Sequence, residues 1–165
     1  MSDKNILLVE GESDRGLLEA LCKKWHIPVG QVKVCTPRDA GHAKNSKQAV
    51  WAVLPIYLAQ LADGQIEKLA LVVDADSPPN GGFDRTLSQL QPLLAQHGYQ
   101  GLADKAAPGL RFTHADGLPE VGAWVMPNNT DPGMVEDWLK NCLHADEADL
   151  MRHAQQAIAS LPGGP

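Results

Sequence analysis

The sequence predicts an α/β protein: one domain with a mostly parallel central sheet and helices on both faces. Three observations predict it. Two short, continuous apolar runs, NILLV at 5–9 and KLALVV at 68–73, have the length and character of strands buried on both faces. Each is followed by a segment whose apolar residues recur at helical rather than strand spacing. The 165 residues suit one domain over 1–165, and no internal repeat or low-complexity tract interrupts the alternation.

The elements follow in order. The first run ends in Glu10-Gly11-Glu12-Ser13-Asp14, after which Leu17, Leu18, Leu21, Cys22 and Trp25 form one helical apolar stripe. Residues 31–35 alternate as a short strand. A long helix is expected over 44–62, kinked or split at Pro55, because proline removes a donor and clashes with the preceding turn. The run 68–73 leads into Asp74-Ala75-Asp76. The SPPNGG segment at 77–82 is a loop by composition, and 83–97 is an amphipathic helix closed by His97-Gly98. Residues 101–108 read as irregular. Strands at 110–114 and 121–126 flank a turn at Asp116-Gly117-Leu118-Pro119. A helix over 133–143 is expected to turn Met134, Trp138 and Leu139 inward, and a last helix covers about 147–161. The tail Pro162-Gly163-Gly164-Pro165 cannot continue it. Trp25, Trp51, Trp124 and Trp138 are read as core-facing, and Tyr57 and Tyr99 as lying within or beside helices.

Composition narrows the function. Hydrophobic residues make up 44% and charged residues 21%, as in an ordinary folded domain. A net charge of −6, from 14 Lys+Arg against 20 Asp+Glu, argues against a module that holds nucleic acid chiefly by neutralising phosphates. It leaves room for an acidic metal site that meets a phosphate. Cys22, Cys35 and Cys142 are odd in number and widely spaced, unlike a disulfide framework or zinc ribbon. His26, His42, His97, His114, His144 and His153 show no ligand spacing. The opening MSDKNILLVEGES resembles no signal peptide, and no window is long and apolar enough to span a bilayer, so a cytoplasmic protein without membrane contact is expected.

The acids stand where open parallel sheets place their chemistry, beyond the carboxyl ends of the strands. Glu10 follows the first buried strand, and Asp74 and Asp76 the third. In a period-2 chain, Asp-x-Asp turns two carboxylates toward one face. Without a cation such carboxylates repel, whereas hard oxygen ligands suit Mg²⁺ or Mn²⁺. The plainer reading is that Asp14 or Asp76 caps the following helix. Glu136 and Asp137, in the first turn of a later helix, are explained equally by the helix dipole or by a place near the metal.

Val9-Glu10-Gly11 with Asp14, and Val72-Val73-Asp74-Ala75-Asp76, resemble the Toprim domain of primases, topoisomerases and OLD-family nucleases. The segments Val121-Gly122-Ala123-Trp124-Val125-Met126-Pro127-Asn128-Asn129 and Gly133-Met134-Val135-Glu136-Asp137-Trp138-Leu139 resemble a Toprim-like family of uncharacterised proteins, DUF3226. The likeness covers about residues 5–143 and implies a Rossmann-like fold and metal-dependent phosphoryl transfer on DNA or RNA, most simply phosphodiester hydrolysis. Asp74 and Asp76 would hold Mg²⁺ or Mn²⁺, with Asp14 contributing and Glu10 acting as general base or acid or as a further ligand. The third ligand stays open between Glu10, Asp14 and Glu136. Asn128 stands where the family usually has an acid, and Asn129 is its neighbour in the same accessory turn. The family's chains are expected to run past Pro165. Arg38, Lys44, Lys47 and Arg85 are the candidates to meet phosphates, though each also reads as an ordinary surface charge. A partner protein or homo-oligomer could supply the basic surface the chain lacks.

Three other classes share parts of this pattern. A receiver domain needs a lysine after its fifth strand, where this chain has Met126-Pro127-Asn128. A haloacid dehalogenase-type phosphatase carries its Asp-x-Asp near the start of the chain, not at Asp74 followed by Ser-Pro-Pro. A Toprim-like shell that binds without turnover fits Asn128 and the acidic balance.

Overall fold

The computed structural model describes residues 4–36, 38, 46–102 and 109–160. Its elements run β1 (Asn5–Val9), α1 (Glu12–Lys24), β2 (Gln31–Val34), α2 (Ser46–Ala62), β3 (Lys68–Asp74), α3 (Phe83–Ala95), β4 (Tyr99–Leu102), β5 (Leu110–His114), β6 (Val121–Met126) and α4 (Val135–Asn141). A 3-10 turn at Ala145–Glu147 and α5 (Ala148–Ala159) follow. Six strands form one mixed sheet in the order β2-β1-β3-β6-β5-β4. The first four are mutually parallel; β5 and β4 add an antiparallel edge.

All five residues of β1 are buried, as a strand covered on both faces requires. In β3 the burial alternates. Leu69, Leu71 and Val73 enter the main core with Val50, Leu54, Leu58 and Leu61 of α2 and Leu90 and Leu94 of α3. Ala70 and Val72 face the smaller core of Leu7, Val9 and Val32, which α1 covers through Leu18. Helices therefore cover both faces, one far more fully: no side chain of α1 or α5 is fully buried.

From β1 the chain crosses outward to β2, and from β2 it returns past β1 to β3. The carboxyl ends of β1 and β3 therefore bound a topological switch point, the crevice in which open α/β sheets bind ligands.

Four expectations are corrected. Of the kink or split expected at Pro55, the split is absent: α2 runs through it, because Val50, Val53 and Leu54 before it and Leu58 and Leu61 after it bury along one stripe. Of residues 101–108, expected to be irregular, 101 and 102 join 99 and 100 in β4 against β5, and residues 103–108 lie outside the described residues. Tyr99 is thus a strand residue, with its ring buried and its hydroxyl donating to Pro119 O at 3.2 Å. Gly101 hid the alternation; its missing side chain makes room for Phe112, whose Cε1 would lie 3.2 Å from a Cβ there. Trp25, Met134 and Leu139 are exposed rather than inward, since each lies at the margin of a short or thinly packed helix. Among the described residues no helix is long and apolar enough to cross a membrane.

Candidate functional site

β1 and β3 pair in parallel with Val9 opposite Val72, so Glu10 and Asp74 leave the sheet side by side. The Asp74 backbone N–H donates to Glu10 Oε1 at 2.9 Å and fastens the two strand ends together. Burial, the largest influence, pushes the Glu10 carboxyl up to about 7, and the negative charges of Asp74 and Asp76 add to it. Asp74 is pushed up to about 6, again chiefly by burial, then by the Asp14 and Asp76 charges. Its Oδ1 accepts the Val135 N–H at 3.1 Å, at the start of α4. These two carboxyls are partly dehydrated and lie among like charges that the Lys47 ammonium only partly offsets.

Asp14 completes the cluster from α1. Its Oδ2 accepts the Gly11 N–H at 2.9 Å, the reach-back of a residue in the first helical turn, so the capping role is real. Its carboxyl is also raised, mainly by burial, with Glu136 opposing its charge. Glu136 is exposed at the start of α4 and lies at the rim of the cluster.

Asp76 departs from the simple Asp-x-Asp picture. The strand ends at Asp74, and Asp76 has φ +61°, so period-2 geometry does not carry to it. Backbone bonds to Gly133 at 2.9 and 3.1 Å hold it in a bridge. Its Oδ2 meets Lys47 Nζ at 2.5 Å. Lys47 is buried and also donates to Thr86 Oγ1 at 3.5 Å. Gly81 packs so closely on Asp76 that a Cβ would fall 2.4 Å from the Asp76 Cβ, so only glycine fits there.

The other expected site residues stand apart from these carboxyls, several of them engaged in loop and cap hydrogen bonds. Asn129 Oδ1 accepts the Val125 N–H at 2.7 Å and closes the turn after β6 at φ +62°. Asn128 Oδ1 accepts from Thr130 N, Thr130 Oγ1 and Asp131 N, shaping the same loop. Asp137 caps α4 through the Met134 N–H at 3.0 Å. The Lys140 ammonium beside it holds its carboxyl below the usual range. Arg85 opens α3 near Lys47, with which it lines one cavity. Arg38 is exposed in a turn, and no hydrogen bond among the described residues brings it to the acids; Lys44 lies outside the described residues.

The sequence reading did not find the Lys47–Asp76 pair. A signal existed: Lys47, Val50 and Leu54 fall on one helical stripe, which places a lysine in a buried row. Among the described residues no group of three or more His, Cys, Asp or Glu side chains is arranged to hold a metal ion. The physical reason is visible, since Asp76 turns to Lys47, Asp14 to Gly11 and Asp74 to Val135.

Fold and site together define an α/β protein with a carboxylate cluster at the switch point of its sheet. A family model described as a protein of unknown function (DUF3226) matches residues 4–164, and the chain belongs to that family. No curated protein and no solved structure matches it.

Proposed function

We propose that the protein is a Mg²⁺- or Mn²⁺-dependent phosphoryl-transfer enzyme that hydrolyses phosphodiester bonds in nucleic acid. The observation that carries this reading is the Asp74 N–H to Glu10 Oε1 hydrogen bond, which sets two acid-bearing strand ends together at the switch point. The likeness of Glu10 and Asp74-Ala75-Asp76 to the Toprim pattern points the same way.

The donor set suits a hard divalent cation in chemistry, because the half-buried carboxyls keep raised pKa values even with the Lys47 ammonium nearby. A closed three-acid cage is not required, since Mg²⁺ is commonly held by one or two carboxylates with water and substrate phosphate completing the shell. Asp74 would hold the ion, with Asp14 and Asp76 beside it. Such an ion neutralises charge developing on phosphoryl oxygens and acidifies its bound water. Glu10, raised to about 7, accepts or returns a proton near neutral pH, which suits a general base. Lys47 and Arg85 supply positive charge next to the acids. With a net charge of −6, a partner protein or a second copy would extend the basic surface.

The test is a cleavage assay on labelled single- and double-stranded DNA and RNA with Mg²⁺, Mn²⁺ or EDTA, with Asp74→Ala and Glu10→Ala alongside. Metal-dependent cleavage lost in both variants supports the reading; cleavage unchanged in both overturns the site. A second reading is a module that binds without turnover. It is favoured by the Lys47–Asp76 pair, which already gives one acid a resident cation. Metal binding with no cleavage of any substrate would select it.

A further inference from the structure

Beside the acids, between α2 and α3, lies a cavity of about 400 Å³, within the range of small-molecule sites. Its charged lining is Lys47, Arg85 and Asp76, a net positive charge in a chain of −6. Lys47 is buried, with its ammonium fixed between Asp76 Oδ2 and Thr86 Oγ1. Arg85 is exposed on the wall contributed by α3. Trp51 is half-buried, and its Nε1 donates to Gln89 Oε1 at 3.2 Å, which ties the indole to the opposite helix. The cavity therefore combines two cations, an anchored aromatic ring and a side-chain amide. Asp76 belongs both to this cavity and to the acid cluster.

We propose that this cavity is a nucleotide subsite. Arg85 and Lys47 meet the phosphate, the base lies against Trp51, and Gln89 offers its amide to the base edge. The shared wall at Asp76 puts that phosphate next to the carboxyls, so the subsite would seat a terminal nucleotide of a strand or a free nucleoside monophosphate. The placement rests on the phosphoryl-transfer reading; nucleotide binding in the cavity does not.

The experiment is calorimetric titration of the full chain in EDTA with adenosine 5′-monophosphate, with inorganic phosphate, and with a 5′-phosphorylated single-stranded oligonucleotide. Arg85→Ala, Trp51→Leu and Asp74→Asn proteins run alongside, each checked for its wild-type circular dichroism. The expected result is monophosphate binding that weakens about tenfold in Arg85→Ala and survives in Asp74→Asn. In Trp51→Leu the monophosphate should weaken while phosphate is unaffected. Mutual displacement by the oligonucleotide identifies a strand end as the occupant, and monophosphate binding without displacement identifies the free nucleotide. No monophosphate binding at millimolar concentration, or binding equal in wild type and Arg85→Ala, overturns the proposal. Arg85-dependent binding without any cleavage leaves the subsite standing and removes the nuclease. Cleavage lost in Asp74→Ala with no monophosphate binding does the reverse.

Discussion

The ends of β1 and β3 and the turn after β6 share one edge of the sheet, with Asp74 paired in register opposite Met126. Both regions are rich in acids and amides, yet their chemistry is opposite. After β6, Asn128, Asn129 and Asp137 each close a turn or cap a helix, and Asp137 is held below its usual pKa by Lys140. At β1 and β3, Glu10 and Asp74 are half-buried among like charges that Lys47 only partly offsets, and are pushed up to about 7 and about 6. The difference teaches that an acid in a motif is chemically available only where the fold compensates its charge incompletely.

The largest expected contrast is catalytic. Glu10→Gln should lower metal-dependent cleavage by about 10²–10⁴-fold, and Asp74→Ala should bring it to background, whereas Asn128→Ala and Asp137→Ala should cut at the wild-type rate in the same assay. Equal losses in both groups would erase the distinction between the two regions.

The next contrast is pH dependence. A Glu10 carboxyl raised from 4.5 to about 7 makes the folded chain bind more protons than the unfolded chain inside that window. Stability is therefore present in full below the lower value and declines as pH rises through the upper one. In metal-free buffer, wild-type Tm should fall relative to Glu10→Gln between pH 4.5 and about pH 7. Saturating Mn²⁺ at the upper pH should restore it; differential scanning calorimetry reads both.

Smaller effects belong to the β6 side. Asn129→Ala leaves the buried Val125 N–H without its acceptor and puts alanine at φ +62°, which should cost about 2 kcal/mol in urea unfolding without altering Mn²⁺ affinity. Asp137→Ala removes a half-exposed cap, and its loss should stay below about 1 kcal/mol.

The parallel strands β1 and β3 were legible because they are continuous apolar runs that end in acids, and both Asn5–Val9 and Lys68–Asp74 lie within one residue of the expected bounds. The antiparallel edge at Tyr99–Leu102 was not, since a four-residue edge strand containing Gly101 shows no alternation. Pro55 does not split α2 because its local cost is outweighed by burial on both sides. At the site, the positions of Glu10, Asp14 and Asp74 follow from strand and helix ends, but the direction of each carboxylate does not. That Asp76 turns to Lys47 depends on φ at one residue and on Gly81 packing against it. Asn128, Asn129 and Asp137 carry the right chemistry in the right order, and only hydrogen-bond partners reveal them as loop and cap residues.

The central claim is that Glu10 and Asp74 form an undercompensated carboxyl pair that a divalent cation would satisfy. NMR titration of the Glu10 side-chain carboxyl carbon, with and without Mg²⁺, tests it most directly. The account expects a midpoint near 7 in metal-free buffer and a fall well below neutrality when Mg²⁺ is added. A midpoint at the ordinary 4.5, or one near 7 that Mg²⁺ leaves unmoved, would contradict it.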